Sequence, residues 1–276
     1  MKEMRLKMEQ KIAIIGLGKM GNTLVGSLIK NQVVTPEQVV GTDSREEIVS
    51  EAQEKYKIHV GIDNQKAVSK SDIIILAVKP QTIQKVLNQI LPVLTEDKVI
   101  ISIAAGITSG FIEKTLNKSI PVIRAMPNTA SLVNAGMTVL CPGKFVKEEH
   151  LEGTLEIFKS IGQVEIVDQE NLMDAVTAIS GCGPAYSYLI VESLTDGGVK
   201  MGLTRKLAQK LAAQAILGGA KMVLETGRHP ASLKDDVTTP GGVTIDGLVE
   251  LEERGFRIAL IKAIERATQK SSRISK

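Results

Sequence analysis

Four apolar residues, Ile12, Ala13, Ile14 and Ile15, run without a break into Gly16, Leu17, Gly18, Lys19, Met20 and Gly21, and an amphipathic helical pattern follows. A strand, a turn with glycine at its first, third and sixth positions, and then a helix is the opening of a doubly wound α/β domain. Each glycine has a physical task there. Gly16 permits the tight turn, Gly18 leaves the backbone open to a phosphate, and Gly21 lets the helix close on the strand. Backbone N–H groups at the helix start then meet negative charge. The spacing predicts that Gly16, Leu17, Gly18, Lys19, Met20 and Gly21 seat the pyrophosphate of a dinucleotide.

The first half of the chain alternates short apolar runs with helical patterns, as a parallel sheet covered on both faces requires. Strands are expected at Lys11–Ile15, Val39–Thr42, Ile58–Val60, Ile73–Val78, Val99–Ile103 and Val122–Ala125, with helices at Gly21–Lys30, Glu46–Tyr56, Gln81–Leu94 and Ser109–Leu116. Two further runs, Met137–Leu140 and Val164–Val167, flank a helix centred on Leu155, so the sheet ends near residue 168. From Asn171 onward the periodicity is helical. The expected division is a Rossmann-type dinucleotide-binding domain over residues 1–168 and an all-α domain over 169–276. Alanine and glycine crowd Leu211–Val223, which lets helix backbones approach closely and predicts a buried helix in a subunit interface. Gly255–Ala267 gathers Phe256, Leu260, Ile261 and Ile264 on one face made for packing. Gln269–Lys276 is polar and expected to fray.

The second strand should end at Thr42, Asp43, Ser44 and Arg45, where this architecture reads the adenosine ribose. An acid there accepts from a ribose 2′-hydroxyl, so Asp43 points to NAD; Ser44 and Arg45 can hold the 2′-phosphate of NADP. The residues pull in both directions, with NADP(H) favoured and NAD(H) as the alternative. Asn64, after the third strand run, is assigned to the same site. Ala77, Val78, Lys79 and Pro80 follow the fourth strand, at the carboxyl end where a ligand crevice opens; on spacing alone they equally make an ordinary strand-to-helix turn. Ala104 and Ala105 close the next strand and offer a second backbone approach.

Composition narrows the rest. Of the residues, 43% are hydrophobic and 24% charged, which fits a soluble globular chain. The 34 basic and 31 acidic side chains are spread evenly and aromatics make up only 3%, so neither a phosphate-tracking stripe nor a stacking platform for nucleic acid is present. No continuous apolar run reaches the ~18 residues of a membrane span. Met1–Lys11 lacks the apolar block of a secretory signal, and a cytoplasmic enzyme is expected. The two cysteines, Cys141 and Cys182, and three histidines have no metal-ligand spacing. Cys141 reads as a small buried thiol near a strand end.

The helical half carries a long distinctive segment: Leu233, Lys234, Asp235, Asp236, Val237, Thr238, Thr239, Pro240, Gly241, Gly242, Val243, Thr244. With Asp174–Thr177, Gly181–Tyr186 and Arg124–Thr129, it resembles the pyrroline-5-carboxylate reductase family over essentially the whole chain. The resemblance implies reduction of the cyclic imine 1-pyrroline-5-carboxylate to L-proline, the last step of proline biosynthesis, with NADPH or NADH. It also implies a helical domain that dimerises, with decamers as a further assembly. Thr239, Gly241, Gly242 and Thr244 would bind substrate, and Thr244 matches the family's proposed proton donor to the ring nitrogen. Read physically, the two glycines leave backbone N–H groups open just before a helix N-terminus, a site for a carboxylate; Thr239 or Thr244 could instead simply cap that helix. Cys182 stands where the family usually has serine. Asp236 replaces an asparagine found in another type of member, and adds negative charge near a phosphate-bearing ligand. His229 reads as a helix-start residue.

Two other readings are weaker. A β-hydroxyacid dehydrogenase would need a lysine on the first long C-terminal helix, yet Tyr186–Val199 has none before Lys200. A non-catalytic NAD(P) sensor would have lost the substrate segment, which is intact.

Overall fold

The computed structural model describes residues 8–274. Most of Met1–Lys11, over which a signal sequence was discounted, therefore lies outside the described residues, as do the last two. An eight-stranded sheet is built from β1 (Ile12–Ile15), β2 (Val39–Thr42), β3 (His59–Gly61), β4 (Ile73–Leu76), β5 (Val99–Ser102), β6 (Val122–Met126), β7 (Gly136–Pro142) and β8 (Gly162–Ile166). Their order is β3-β2-β1-β4-β5-β6-β7-β8, so the chain reverses direction of travel between β1 and β4. That reversal opens a crevice at the carboxyl ends of the strands.

Helices α1 (Lys19–Lys30), α2 (Glu46–Tyr56), α3 (Asn64–Ser69), α4 (Pro80–Ile90), α5 (Ser109–Leu116) and α6 (Glu148–Lys159) make the crossovers. The continuous apolar runs are explained by burial on both faces. Ile12 and Ile14 join one core with Leu24, Leu28, Ile75 and Phe158. Ala13 and Ile15 join another with Leu76, Ile83, Leu87 and Ile100. The expected Gln81–Leu94 helix starts one residue earlier, at Pro80, and ends at Ile90. Pro92 then sits in a 3₁₀ turn, because its ring removes an N–H that the helix needs.

The sheet is not wholly parallel. β7 runs antiparallel to β6, pairing Arg124 with Cys141 and Met126 with Val139. The link between them is only a 3₁₀ turn over Thr129–Val133 that ends at Asn134 with φ +56°. Such a link is too short for a crossover helix, so the chain must fold back.

Two compact units emerge: residues up to Gly181 together with those from Ala267 on, and Cys182–Arg266. The first unit therefore takes in more than the sheet. Helix α7 (Met173–Val176) and a π-helical turn, Thr177–Gly181, belong to it. Glu170 fastens this exit from the sheet: it accepts from Ser109 N–H at 2.6 Å and Ser109 Oγ at 2.8 Å, and faces buried Arg124 Nη1 at 3.5 Å. Asn128 Nδ2 donates to the Ser180 carbonyl at 3.1 Å. The last turns of α12 (Phe256–Ile274) return to this unit, which corrects the expectation of fraying from Gln269. Ser271 is buried and its Oγ donates to Asp174 Oδ1 at 2.6 Å, and the Ile274 carbonyl lies against Gly106.

The second unit holds α8 (Gly183–Lys200), α9 (Arg205–Thr226), α10 (Pro230–Asp236), α11 (Val243–Glu253) and the first turns of α12. α8 and α9 pack as a hairpin. Gly198 makes the close approach possible, since a β-carbon there would sit 2.9 Å from Ala208 Cβ. Thr204 caps α9. The expected burial of Leu211–Val223 is not met within one chain: Ala212 is buried there, whereas Leu211, Leu217 and Met222 are exposed. Phe256 and Ile261 on α12 are exposed too.

Candidate functional site

A cleft of about 500 Å³ lies at the carboxyl ends of β1, β2 and β4. Gly16 and Gly18 form one side, Thr42, Asp43, Ser44 and Arg45 the next, and Ala77, Val78 and Lys79 the opposite side, with Ile62 and Asn64 after β3. The first wall is dictated by glycine chemistry. Gly16 has φ +101°, and a β-carbon on it would lie 2.7 Å from the Ala77 carbonyl oxygen. A β-carbon on Gly21 would collide with the Gly16 carbonyl. At Gly18 nothing lies within 4 Å of that position, so the turn is open toward the cleft. Gly18 is the N-cap of α1, and its own carbonyl takes the Asn22 N–H at 2.9 Å. Lys19, Met20 and Gly21 supply the first N–H groups of the helix, which have no intrahelical acceptor.

Leu17 acts from below. Its side chain is fully buried, and its N–H donates to Asp43 Oδ2 at 3.0 Å. The same carboxylate takes Arg45 N–H at 3.1 Å and Arg45 Nε at 2.9 Å on Oδ1, and Arg45 Nη2 at 3.0 Å on Oδ2. Burial works to raise the Asp43 pKa, but the Arg45 side-chain hydrogen bond, the Arg45 and Leu17 N–H groups and the Arg45 charge outweigh it and hold the carboxyl below its ordinary value. Both oxygens of the expected ribose reader are thus engaged by protein, and Arg45 is left about half exposed in front of it.

Asn64 closes the end of the cleft beside β2 and β3. Its Oδ1 accepts from Thr42 Oγ1 at 2.7 Å and its Nδ2 donates to Gln89 Oε1 at 3.0 Å. Lys79 is the N-cap of α4 and Pro80 its first residue. Ala104 is buried after β5 and Ala105 is exposed; neither lines this cleft, nor do Leu17, Lys19, Met20, Gly21 and Pro80. Sequence reasoning missed Ile62, Thr82, Lys85, Val86 and Gln89, which also line it. Their signal is the spacing Thr82, Lys85, Val86, Gln89, one face of the helix that follows the reversal strand.

The Thr239–Thr244 segment lies in the second unit. Gly241 has φ +64°, and Gly242 is the N-cap of α11 with no side-chain cap, so neither threonine caps this helix. Gly242 N–H, read above as open, closes a turn onto the Thr239 carbonyl at 3.0 Å. A β-carbon on Gly242 would collide with Thr239 Oγ1. The N–H groups with no intrahelical acceptor are those of Val243, Thr244 and Ile245. Thr244 is partly exposed on the second residue of the helix. Asp236 pairs with Arg228 at 2.7 Å, and His229 caps α10 by accepting from Ala231 N–H at 3.2 Å. Cys182 precedes α8; Tyr186 beside it has a raised pKa, through burial first and Cys182 second.

Two family models match the chain: NADP oxidoreductase, coenzyme F420-dependent, over residues 11–106, and pyrroline-5-carboxylate reductase dimerisation over residues 170–274. The pyrroline-5-carboxylate reductase of Methanosarcina acetivorans is 46% identical over 267 residues, 97% of this chain and 98% of the relative. This chain belongs to the pyrroline-5-carboxylate reductase family. The pyrroline-5-carboxylate reductase of Escherichia coli is 42% identical over 98% of this chain and 100% of its own. Among solved structures, that of the Coxiella burnetii pyrroline-5-carboxylate reductase superposes with a TM-score of 0.92 at 35% identity, covering 97% of this chain and 99% of the other. The Plasmodium falciparum pyrroline carboxylate reductase, solved with NADP bound, gives 0.88 at 34% identity, covering 98% and 100%. Family membership also removes the dehydrogenase and sensor readings. At the cleft of this pyrroline-5-carboxylate reductase chain stand the Asp43–Arg45 pair and the lysine at position 85.

Proposed function

We propose that this chain reduces 1-pyrroline-5-carboxylate to L-proline, the last step of proline biosynthesis, with NADPH as the preferred reductant. The observation that carries the reading is the full-length identity to the Methanosarcina acetivorans reductase; the cleft and an intact Thr239–Thr244 segment support it. The cleft fits a dinucleotide because Gly18 leaves the turn open beside a helix start and the walls are polar at both ends. Gly16, Gly18, Lys19, Met20 and Gly21 would hold the pyrophosphate, Ser44, Arg45 and Asn64 the adenosine end, and Ala77, Val78, Lys79, Pro80, Ala104 and Ala105 the nicotinamide half, while Leu17 supports the turn. When bound there, the reduced nicotinamide supplies a hydride.

An imine needs less protein chemistry than a ketone, because its protonated nitrogen already draws electron density from the carbon. The chain must hold the ring still, exclude water and manage one proton. The Val243 and Thr244 N–H groups at the start of α11 would take the substrate carboxylate. Gly241 and Gly242 shape the turn that presents them, and Thr239 Oγ1 packs against it. Thr244 would place its hydroxyl at the ring nitrogen, where it orients the nitrogen or relays a proton from water. A threonine hydroxyl is a weak acid, so orientation carries most of its effect.

The NADPH preference is supported by the Plasmodium falciparum relative, solved with NADP bound, and by Arg45 standing half exposed at the end of β2. The dimerisation model over residues 170–274 and the exposed apolar faces of α9 and α12 support self-association as a dimer, with a decamer as the further assembly. Cys141 and Cys182 are both free thiols, in keeping with a reducing cytoplasm.

The test is oxidation of NADPH and of NADH followed by absorbance in the presence of 1-pyrroline-5-carboxylate. Turnover with both and a higher kcat/KM for NADPH are expected. No turnover with either cofactor overturns the reaction; a higher kcat/KM for NADH overturns the preference.

A further inference from the structure

The cleft is lined by three cations against one carboxylate. Arg45, Lys79 and Lys85 line it with Asp43 as the one carboxylate, and both oxygens of Asp43 are held by Leu17 and Arg45. Lys79 stands at the start of α4, in the stretch assigned above to the nicotinamide half. Lys85 has no partner in that role. It is exposed, lies more than one turn further along α4, and makes no ion pair among the described residues.

Its place on the helix can be read from its neighbours. The carbonyl of Gln89, one turn after Lys85, accepts from Gln65 Nε2 at 2.8 Å, and its Oε1 accepts from Asn64 Nδ2 at 3.0 Å. Asn64 in turn is fastened to Thr42, next to Asp43, Ser44 and Arg45. Gln89 is therefore tied to the ends of β2 and β3, and residues four apart on a helix share a face. Lys85 stands on that face, next to the adenosine end, where Ile62 and Val86 offer apolar walls to a planar base. An exposed ammonium without a counter-ion beside a ligand subsite raises the affinity for the more highly charged ligand.

We propose that Lys85 on α4 is a specificity-determining residue, which acts from its side of the cleft, together with Arg45 at the end of β2, to select a dinucleotide that carries a 2′-phosphate. The proposal rests on the cofactor reading given above, and it adds a second cation to the one that the end of β2 supplies. Arg45 supplies a planar fork and Lys85 a compact charge, so the two recognise the same phosphate in different ways.

The test uses the full chain and ligands that report on the adenosine end alone. Calorimetric titration with 2′,5′-ADP and with 5′-AMP separates recognition of the 2′-phosphate from recognition of the base. Wild type is expected to bind 2′,5′-ADP more tightly than 5′-AMP. Lys85→Gln should weaken 2′,5′-ADP by about fivefold and 5′-AMP by less than about twofold, the scale of one exposed charge pair. Lys85→Arg should keep the selectivity, and Lys85→Gln combined with Arg45→Ala should lose it. Equal weakening of both ligands by Lys85→Gln, or no change in either, would overturn the proposal. Because no imine is present, the result stands whether or not 1-pyrroline-5-carboxylate is turned over. The absorbance assay can equally succeed while this selectivity fails.

Discussion

The backbone N–H of Leu17 donates to Asp43 Oδ2 at 3.0 Å, so the glycine turn after β1 is fastened to a carboxylate at the end of β2. The two loops come from adjacent parallel strands, with Ile15 in register with Thr42. Gly16 N–H reinforces the link by donating to the Thr42 carbonyl at 2.7 Å. An acid in this position is ordinarily read as the partner of a ribose hydroxyl. Here its hydrogen bonds hold the glycine turn and aim Arg45.

Asp43→Ala should therefore disturb the turn and Arg45 together. We expect KM for NADPH to rise about tenfold with a smaller change in kcat, the scale of losing a charge-assisted hydrogen bond. Steady-state kinetics would check it, and an unchanged KM would remove Asp43 from the support of the turn. The sign with pH follows from its lowered pKa. The stabilisation by Asp43 is present above the pKa of its unfolded form and is lost as pH falls through the lower folded value. Between about pH 5 and 8 the carboxylate stays charged, and no inflection in cofactor affinity should trace to it.

Gly18 and Gly21 separate binding from folding. Gly21→Ala pushes a β-carbon into the Gly16 carbonyl and should cost about 1–3 kcal/mol of stability as well as cofactor affinity. Gly18→Ala meets nothing within 4 Å, so its melting temperature should stay near wild type while KM for NADPH rises. Thermal melts set beside kinetics would show the split; a large loss of stability in Gly18→Ala would contradict it.

For Thr244, removal of the hydroxyl should lower kcat by roughly tenfold or more, and Thr244→Ser should recover most of it. Wild-type turnover by Thr244→Ala would exclude the hydroxyl from the mechanism. A loss that appears only in KM for the imine would assign it to binding.

Cys141 is buried on β7 opposite Arg124 of β6, and burial, with Glu170 next in weight, pushes its thiol up to about 11 against the opposing charge of Arg124. A thiol reagent at pH 8 should therefore leave Cys141 unmodified in the native chain and label it on unfolding. Mass mapping of the labelled peptide would show this. The raised value also means that the stability linked to this thiol is complete below its ordinary pKa and declines as pH rises through about 11.

Much of the fold could be read from the order of apolar runs and glycines. α2 (Glu46–Tyr56) and α5 (Ser109–Leu116) fall on the residues expected, because a capping pattern and an amphipathic stripe are local properties. The antiparallel β7 could not be read, since strand direction depends on the length and path of a loop and leaves no trace in a four-residue run. At the site, the residues of the glycine turn and of Asp43–Arg45 were visible because the motif fixes their backbone. What Asp43 holds was not visible, because two hydrogen bonds compete for each of its oxygens only in three dimensions. Lys85 and Gln89 were missed for a similar reason: α4 shows its apolar stripe plainly, and nothing in its polar residues marks which of them border a crevice.

The exposed apolar faces of the second unit have a thermodynamic consequence. In α8 and α9 only Thr195, Ala208 and Ala212 are buried, and α10 and α11 bury none of their residues. With the self-association proposed above, helices with so little interior of their own would draw their free energy of folding from a neighbouring copy, which would make folding of that half second order in protein. The midpoint of its melting curve should climb with the logarithm of concentration, and dilution should act on this chain as a denaturant does on others.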